Sequence, residues 1–600
     1  ITGSGKTNTV KGWCNQLSEK GVPWMVIEPS SKKEYRHLVA NDVDNPIVFS
    51  LGTEKDAVPF RFNPFYFPKN TNVLTHIDRL KTAFSASFPM YASMPYILEE
   101  AIVEIYEDLG WNLSNSSNSH TADPWNIKMQ PFIFPNLSDL HDKINSVVLK
   151  KGYDIRLQMD ISAALRARIG SLLIGSKGRM LNTSVSIDMA ELRKRNVVIE
   201  MAEMGSDDEK CLVMALLIIS LYENAGEVSV DGKKPLKHIL VIEEAHRLLR
   251  NAASSDNPEI ANIRGSAVEH FSNMLAEMRA FGQGVIIVDQ TPSKLIPDAI
   301  KNTAFKCVHQ LCAADDRKVV GESMILDEVQ QNELSRLKPN KGEAVLYHQS
   351  WEKAYGIKIK WFDHDTNHTV DKIEKQKAEF IKGNPAVYAE NNSRYYSDEI
   401  KIKAHRAVVG LFTNDIDLFK QGIKSKNSII AKKDADYTLH GLFFNEVLKD
   451  LFRSGCAKAN LLSECPERFL KLLNEAERSD SLNDQLLELY KKLLQNLKNT
   501  ENREASLAKA AINNYVRKTD LSQVLEKIKA SGDFGEDAYE SLSKSTKKHL
   551  DQICPIKENG EDIDEGNRRY LHRILIEQML LLSGIQNNTF VVEQYSRRFI

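Results

Sequence analysis

The chain has 600 residues, of which 42% are hydrophobic and 27% charged, with 79 basic against 81 acidic side chains. That length suggests roughly three or four domain-sized units, and the composition is ordinary for a globular protein. The near-zero balance excludes a histone-like binder that works through net positive charge, although a local basic channel would not register in it.

In chain order, Asn8 to Lys20 reads as a helix and Val22 to Glu28 as a short buried parallel strand. Pro46 to Phe49 reads as a second strand, with proline where a missing N–H is tolerated. Asn72 to Leu109 has helical spacing, Trp111 to Asp123 is a polar loop, and Leu137 to Lys151 and Ile161 to Ile174 are helical. Asn196 to Met201 is a strand, and Asp207 to Glu223 a helix. The apolar run in that helix, Cys211 to Tyr222, is too short for a bilayer, which needs about 20 residues, so no membrane insertion is expected. Lys237 to Ile242 is a strand, Gly265 to Phe281 a helix, and Val285 to Val288 and Phe305 to Gln310 are strands. Gly342 to His348 and Ala354 to Lys360 form a closing pair. Strands alternating with helices predict a mostly parallel α/β sheet, with Asn72 to Arg179 as a helical insertion. Past a polar stretch near residue 365, helices dominate, including Ser481 to Asn499 and Arg569 to Leu582.

The seven cysteines are Cys14, Cys211, Cys307, Cys312, Cys456, Cys465 and Cys554. They show no CxxC pairing, which points to free thiols in a reducing cytoplasm rather than zinc or disulfides.

Two segments carry chemistry. Thr2-Gly3-Ser4-Gly5-Lys6-Thr7-Asn8 opens the first helix with glycines and a lysine. Such a turn aims backbone N–H groups and the positive end of a helix at a polyphosphate. Lys6 would reach the β- and γ-phosphates of ATP and Thr7 would bind Mg²⁺. The first glycine of the full pattern and its strand would lie upstream of Ile1, so the sequence is expected to begin inside the natural protein. The second segment, Ile242-Glu243-Glu244-Ala245-His246, closes an apolar strand with two acids. Glu243 would hold Mg²⁺, directly or through water, and Glu244 would polarise the attacking water. Aspartate is commoner at the metal-side position, so Glu243 is a departure. A third strand ends in Asp289-Gln290-Thr291-Pro292-Ser293, where Gln290 would sense the γ-phosphate or orient the water by its amide, or serve as a turn residue.

These blocks resemble the HerA-like branch of the HerA/FtsK superfamily. The matching pieces are Thr2 to Val10, Ile27 to Tyr35, Phe62 to Pro64, Ile242 to Leu249 and Met278 to Ser293. The resemblance covers about residues 1 to 360. It implies a RecA-like P-loop core after a small β-barrel, assembled as a hexameric ring with ATP between subunits and double-stranded DNA in the pore. It implies an arginine donated to the neighbour's γ-phosphate, for which Arg279 fits best by motif position and Arg179 and Arg317 less well. Arg166, Arg168, Lys177, Arg179, Arg193, Lys194 and Arg195 are candidates for DNA phosphates or for solvated faces. His246 would couple ATP state to DNA or cap a turn.

The domains expected are a P-loop ATPase domain over 1–365, with its insertion about 72–179, and an all-α region over 366–600. The leading function is an ATP-driven DNA translocase working with a nuclease or NAD-consuming effector, in anti-phage defence or DNA end processing. A conjugation or secretion ATPase and a nucleotide-stabilised scaffold are the alternatives.

Overall fold

A computed structural model describes residues 5–388, except 42–43, 92, 120, 128, 227–234, 252–257 and 363–368. The loop residues Thr2, Gly3 and Ser4, and the helices expected over 481–499 and 569–582, lie outside the described residues.

The central sheet is built from β1 (Trp24–Glu28), β2 (Ile47–Ser50), β3 (Val58–Pro59), β4 (Val197–Glu200), β5 (His238–Glu243) and β6 (Gln283–Val288). Their order is β3-β2-β4-β1-β5-β6, and all neighbouring pairs are parallel. β1 and β4 are buried at every residue, which explains their unbroken apolar sequences. Phe305–Val308 (β7) does not join this sheet. It pairs antiparallel with β8 (Glu343–His348), which pairs with β9 (Tyr355–Lys358), in a separate three-stranded sheet. That sheet carries an exposed edge-to-face chain of Phe305, Trp351 and Tyr355.

Helix α1 (Lys6–Glu19) lays Val10 and Cys14 on the same core as Trp24, Val26, Val198 and Val241, so it covers one face of the sheet. The helical insertion holds α2 (Val73–Ser87), α3 (Met94–Glu107), α4 (Gln130–Ile133), α5 (Leu137–Lys150), α6 (Ile155–Leu172) and α7 (Gly175–Leu181). Asn72 caps α2 by accepting from the N–H groups of Leu74 and Thr75, and Asn136 with Asp139 closes a capping box on α5. After the short α8 (Met189–Leu192), α9 (Asp207–Glu223) buries Cys211 through Ile219 all round, with α2 of the insertion, α8 and the helix of residues 258–277 among its neighbours. Each fully buried Leu or Ile there contributes about 1.5–3 kcal/mol of transfer free energy. Helix α2 packs against α9 and α10 (Pro258–Glu277), and His76 and Arg79 both hold the buried Glu223 carboxylate at 2.9 Å. The shorter α11 (Pro297–Lys301), α12 (Ala314–Ser323) and α13 (Glu328–Glu333) follow β6 and flank the small sheet's segments.

The compact unit containing the sheet runs on to Val387, past the boundary expected at 365. The reason is α14 (Thr369–Gly383), whose Ile373 enters the sheet core and whose Phe380 ring meets Phe49 at 5.2 Å. The second unit, as far as described, comprises Tyr106–Asn112, Ser117–Pro135 and Tyr388. Within it Trp111 packs on Trp125 and Phe134 and donates its indole N–H to the Ile133 carbonyl. Among the described residues no helix is long and apolar enough to cross a membrane, and Cys14, Cys211, Cys307 and Cys312 are free thiols.

Candidate functional site

The site forms where parallel strands end, the edge at which α/β sheets bind ligands. Gly5 caps α1 with φ 91°, a left-handed conformation suited to glycine, and no side chain caps the helix. The first N–H groups of this 14-residue helix therefore have no side-chain cap, the arrangement an anion at a helix N-terminus uses. Lys6 is the first residue of that helix. Burial pulls its ammonium below the usual lysine range, while Glu243 and Asp289 pull it back up. The lysine thus sits within electrostatic reach of the acid ends of β5 and β6. Thr7 follows on the next position, half-buried. Asn8 has its amide engaged elsewhere: it donates to the Lys360 carbonyl at 3.3 Å and accepts from the Phe362 N–H at 2.8 Å. Thr9 donates to the Gly5 carbonyl and lies 3.0 Å from His309 Nε2, tying the helix start to the segment after β7.

Glu243 is the last residue of β5, and Glu244 the first beyond it. Glu243 accepts a short hydrogen bond from the Tyr35 hydroxyl. Burial pushes its carboxyl up to about 6, against the lowering influence of Tyr35 and Lys6. Glu244 adopts φ 49°, uncommon outside glycine, which turns the chain sharply at the strand end. Arg247 Nε donates to Glu244 Oε2 at 2.8 Å. His246 gives its backbone N–H to Asp289 Oδ2 at 2.8 Å and sets Nδ1 2.9 Å from the same oxygen. This fastens the end of β5 to the end of β6. Although burial opposes ionisation, the His246 side chain and the Thr291 N–H hold Asp289 below the ordinary carboxylate range. Gln290, next in the chain, lies half-buried on the same edge.

A third glutamate belongs to this edge. β1 ends at Glu28, whose register partner on β4 is Glu200, and one step beyond the Ile27–Ile242 pair sets it beside Glu243. Glu28 Oε1 accepts from the Glu34 N–H at 2.8 Å, whereas buried Oε2 has no hydrogen-bond partner. Burial, reinforced by Glu200 and Glu243, pushes Glu28 up to about 8. Glu200 is neutralised by a two-pronged contact from Arg36 at 2.8 and 2.5 Å.

Sequence reasoning named Lys6, Thr7, Glu243, Glu244 and Gln290; Glu243 ends β5, Glu244 and Gln290 follow the ends of β5 and β6, and Lys6 with Thr7 opens α1, Lys6 within electrostatic range of Glu243. It did not single out Glu28, Tyr35, Asp289 or Arg247. The signals for Glu28 were its place at the end of an apolar strand and inside the matching block Ile27 to Tyr35. Arg279 is exposed on a one-turn helix, Met278–Phe281, that leads into β6. It precedes the start of β6, so it is separated from its own chain's acidic edge by the strand's length, roughly 16 Å. Arg317 is tied to the Cys312 carbonyl and Asn332. Of the basic candidates for DNA, Lys177 pairs with Glu209, Lys194 with Glu191, and Arg193 bonds the Asn224 carbonyl, while Arg195 is exposed.

The donors suit a hard cation carried in by phosphates. A threonine hydroxyl and a carboxylate are oxygen ligands of the kind Mg²⁺ prefers, and Mg²⁺ is usually held by one or two carboxylates plus substrate phosphates. Among the described residues no cluster of three or more His, Cys, Asp or Glu forms a metal cage of its own.

No protein-family model matches the chain. Over 379 residues it is 22% identical to the probable DNA double-strand break repair helicase HerA of Methanocaldococcus jannaschii, spanning 60% of this chain and 71% of that protein. Among solved structures it is similar to VirB4 of Thermoanaerobacter pseudethanolicus, with TM-score 0.43 and 18% identity over 62% of this chain and 89% of that one. It is also similar to the plasmid coupling protein TrwB in complex with ADP and Mg²⁺, with TM-score 0.40 and 10% identity over 62% of this chain and 86% of that one. With a parallel sheet, a glycine-led helix, acids closing the adjacent strand and similarity to HerA over 379 residues, the chain resembles the HerA-like P-loop ATPases.

Proposed function

We propose that this chain is a ring motor that uses ATP hydrolysis to translocate double-stranded DNA. The observation that carries the reading is that Lys6 lies within electrostatic range of Glu243 and Asp289 at the ends of β5 and β6, on a chain similar to a probable DNA-repair helicase. In this reading Thr2 to Thr7 wrap the phosphates, and Lys6 neutralises the β- and γ-phosphates. Thr7 and Glu243 hold Mg²⁺, which supplies charge neutralisation on the phosphates when bound. Glu244 takes a proton from the attacking water, and Gln290 orients that water or reads the γ-phosphate. The far-edge position of Arg279 supports a role in trans, toward the nucleotide of a neighbouring copy, and the ring would be a hexamer. Asn8 contributes by locking the helix start to the strand β9 exit, rather than by its amide touching nucleotide.

A nuclease or NAD-consuming partner, used in anti-phage defence or DNA end processing, is the biological setting we favour. The test is steady-state ATP hydrolysis with and without linear duplex DNA. Wild-type turnover should rise with DNA, Lys6→Ala should lose nucleotide binding, and Glu244→Gln should bind ATP without turning it over. Full turnover in Glu244→Gln would sink the mechanism, and a rate indifferent to DNA would sink the motor.

A further inference from the structure

Glu244 is the proposed base, and one of its carboxylate oxygens is already committed. Arg247 Nε donates to Oε2 at 2.8 Å, and Nη2 lies 2.8 Å from that same oxygen. The third nitrogen, Nη1, reaches Asp207, the first residue of α9. The arginine and glutamate side chains are only 20% and 18% exposed, so water competes weakly for the pair. A base takes a proton onto a lone pair. One N–H···O bond from Nε, with Nη2 beside it, takes up Oε2 and holds the carboxylate turned toward the guanidinium and α9. Arginine cannot relieve this by losing its own proton.

We infer that Arg247 is a positioning residue that parks Glu244 in a resting orientation, and that hydrolysis requires the pair to open. This rests on Glu244 being the base. Asp207 keeps a partner on the guanidinium when Glu244 leaves, so the charge is never stranded. The link also has a mechanical side. One turn further along α9, Lys210 donates to the carbonyl of Pro29, the residue after Glu28. A shift of α9 would therefore act on the arginine and on the end of β1 together, and α9 is the helix on which the insertion packs.

The experiment measures ATP turnover by the full chain without nucleic acid, in wild type, Arg247→Ala, Arg247→Lys, Glu244→Gln and the Arg247→Ala/Glu244→Gln double variant. Freeing the base should raise kcat by about threefold or more in Arg247→Ala, the scale of one partly covered ion pair. KM for ATP should stay within about twofold, because Arg247 contacts no proposed phosphate ligand. Arg247→Lys, which offers a point charge without the fork, should lie between. The double variant should be as inactive as Glu244→Gln, which separates release of this base from any general loosening. A fall in kcat, or no change, in folded Arg247→Ala with ATP binding intact overturns the proposal. If Arg247→Ala fails to fold, a fall or no change in Arg247→Lys does the same. An inactive wild type, or full turnover in Glu244→Gln, removes the ATPase mechanism itself and this inference with it, a result distinct from the first.

Discussion

Glu28 is the residue where charge and burial conflict most openly. Its carboxyl is pushed up to about 8 from an ordinary 4.5 by burial beside Glu200 and Glu243. The folded chain keeps this proton where the unfolded chain has lost it. Its effect on stability is absent below about pH 4.5, grows as pH rises, and is complete above about pH 8, at a cost on the order of a few kcal/mol. Without nucleotide, the melting temperature of wild type should therefore fall between about pH 4.5 and 8. Glu28→Gln, which keeps the shape and drops the charge, should flatten that slope. Parallel slopes would show that Glu28 is not the source. Glu243, pushed up to about 6, is mostly ionised at neutral pH and supplies a negative oxygen beside Lys6. Tyr35→Phe removes the hydroxyl that holds its Oε1 in place. Mg²⁺-dependent turnover should drop about tenfold with folding intact, since a misplaced ligand in a dry site costs roughly one such factor.

At the scale of elements, the start of α1 depends on a backbone angle. Gly5→Ala forces a side chain into φ 91° and should cost about 1–2 kcal/mol, read as a lower denaturant midpoint with unchanged slope. Helix α9 depends on packing on all sides. Leu216→Ala should cost about 2–5 kcal/mol in the same measurement, because its site is walled by other buried side chains. α9 was also the best-read element: its apolar run gave Asp207 to Glu223, as found, and the structure adds a Ser206 cap and acids in the first turn. β1, β4, β5 and β6 were legible within a residue or two, because buried parallel strands are short, apolar and punctuated. The two-residue β3 was not, since Val58–Pro59 has no periodicity to see. β7 was recognised as a strand but not as part of a second sheet, because pairing partners of β7 lie some forty residues away and leave no local mark.

For the whole molecule, the position of Arg279 makes a prediction about assembly. On the proposed role in trans for an arginine at the far edge of the sheet, Arg279→Ala should bind ATP normally and lose most turnover. Mixing Arg279→Ala with Lys6→Ala subunits should restore part of the activity, because each defect lies in a different partner at some interfaces. No recovery in verified mixed assemblies would place the arginine's role elsewhere. The sequence by itself determined the chemistry that is local: a glycine-led helix with Lys6 and Thr7, and a strand ending in Glu243 and Glu244. Spacing along the chain fixes those, since each set of groups lies on one short segment. Only the tertiary structure decided who holds them. Tyr35 reaches Glu243 across 208 residues of sequence, Asp289 reaches His246 across 43, and Glu28 meets Glu200 and Glu243 solely through strand order. Hydrogen bonds, burial and charge act over ångströms, and separation along a chain says nothing about them until the sheet has formed.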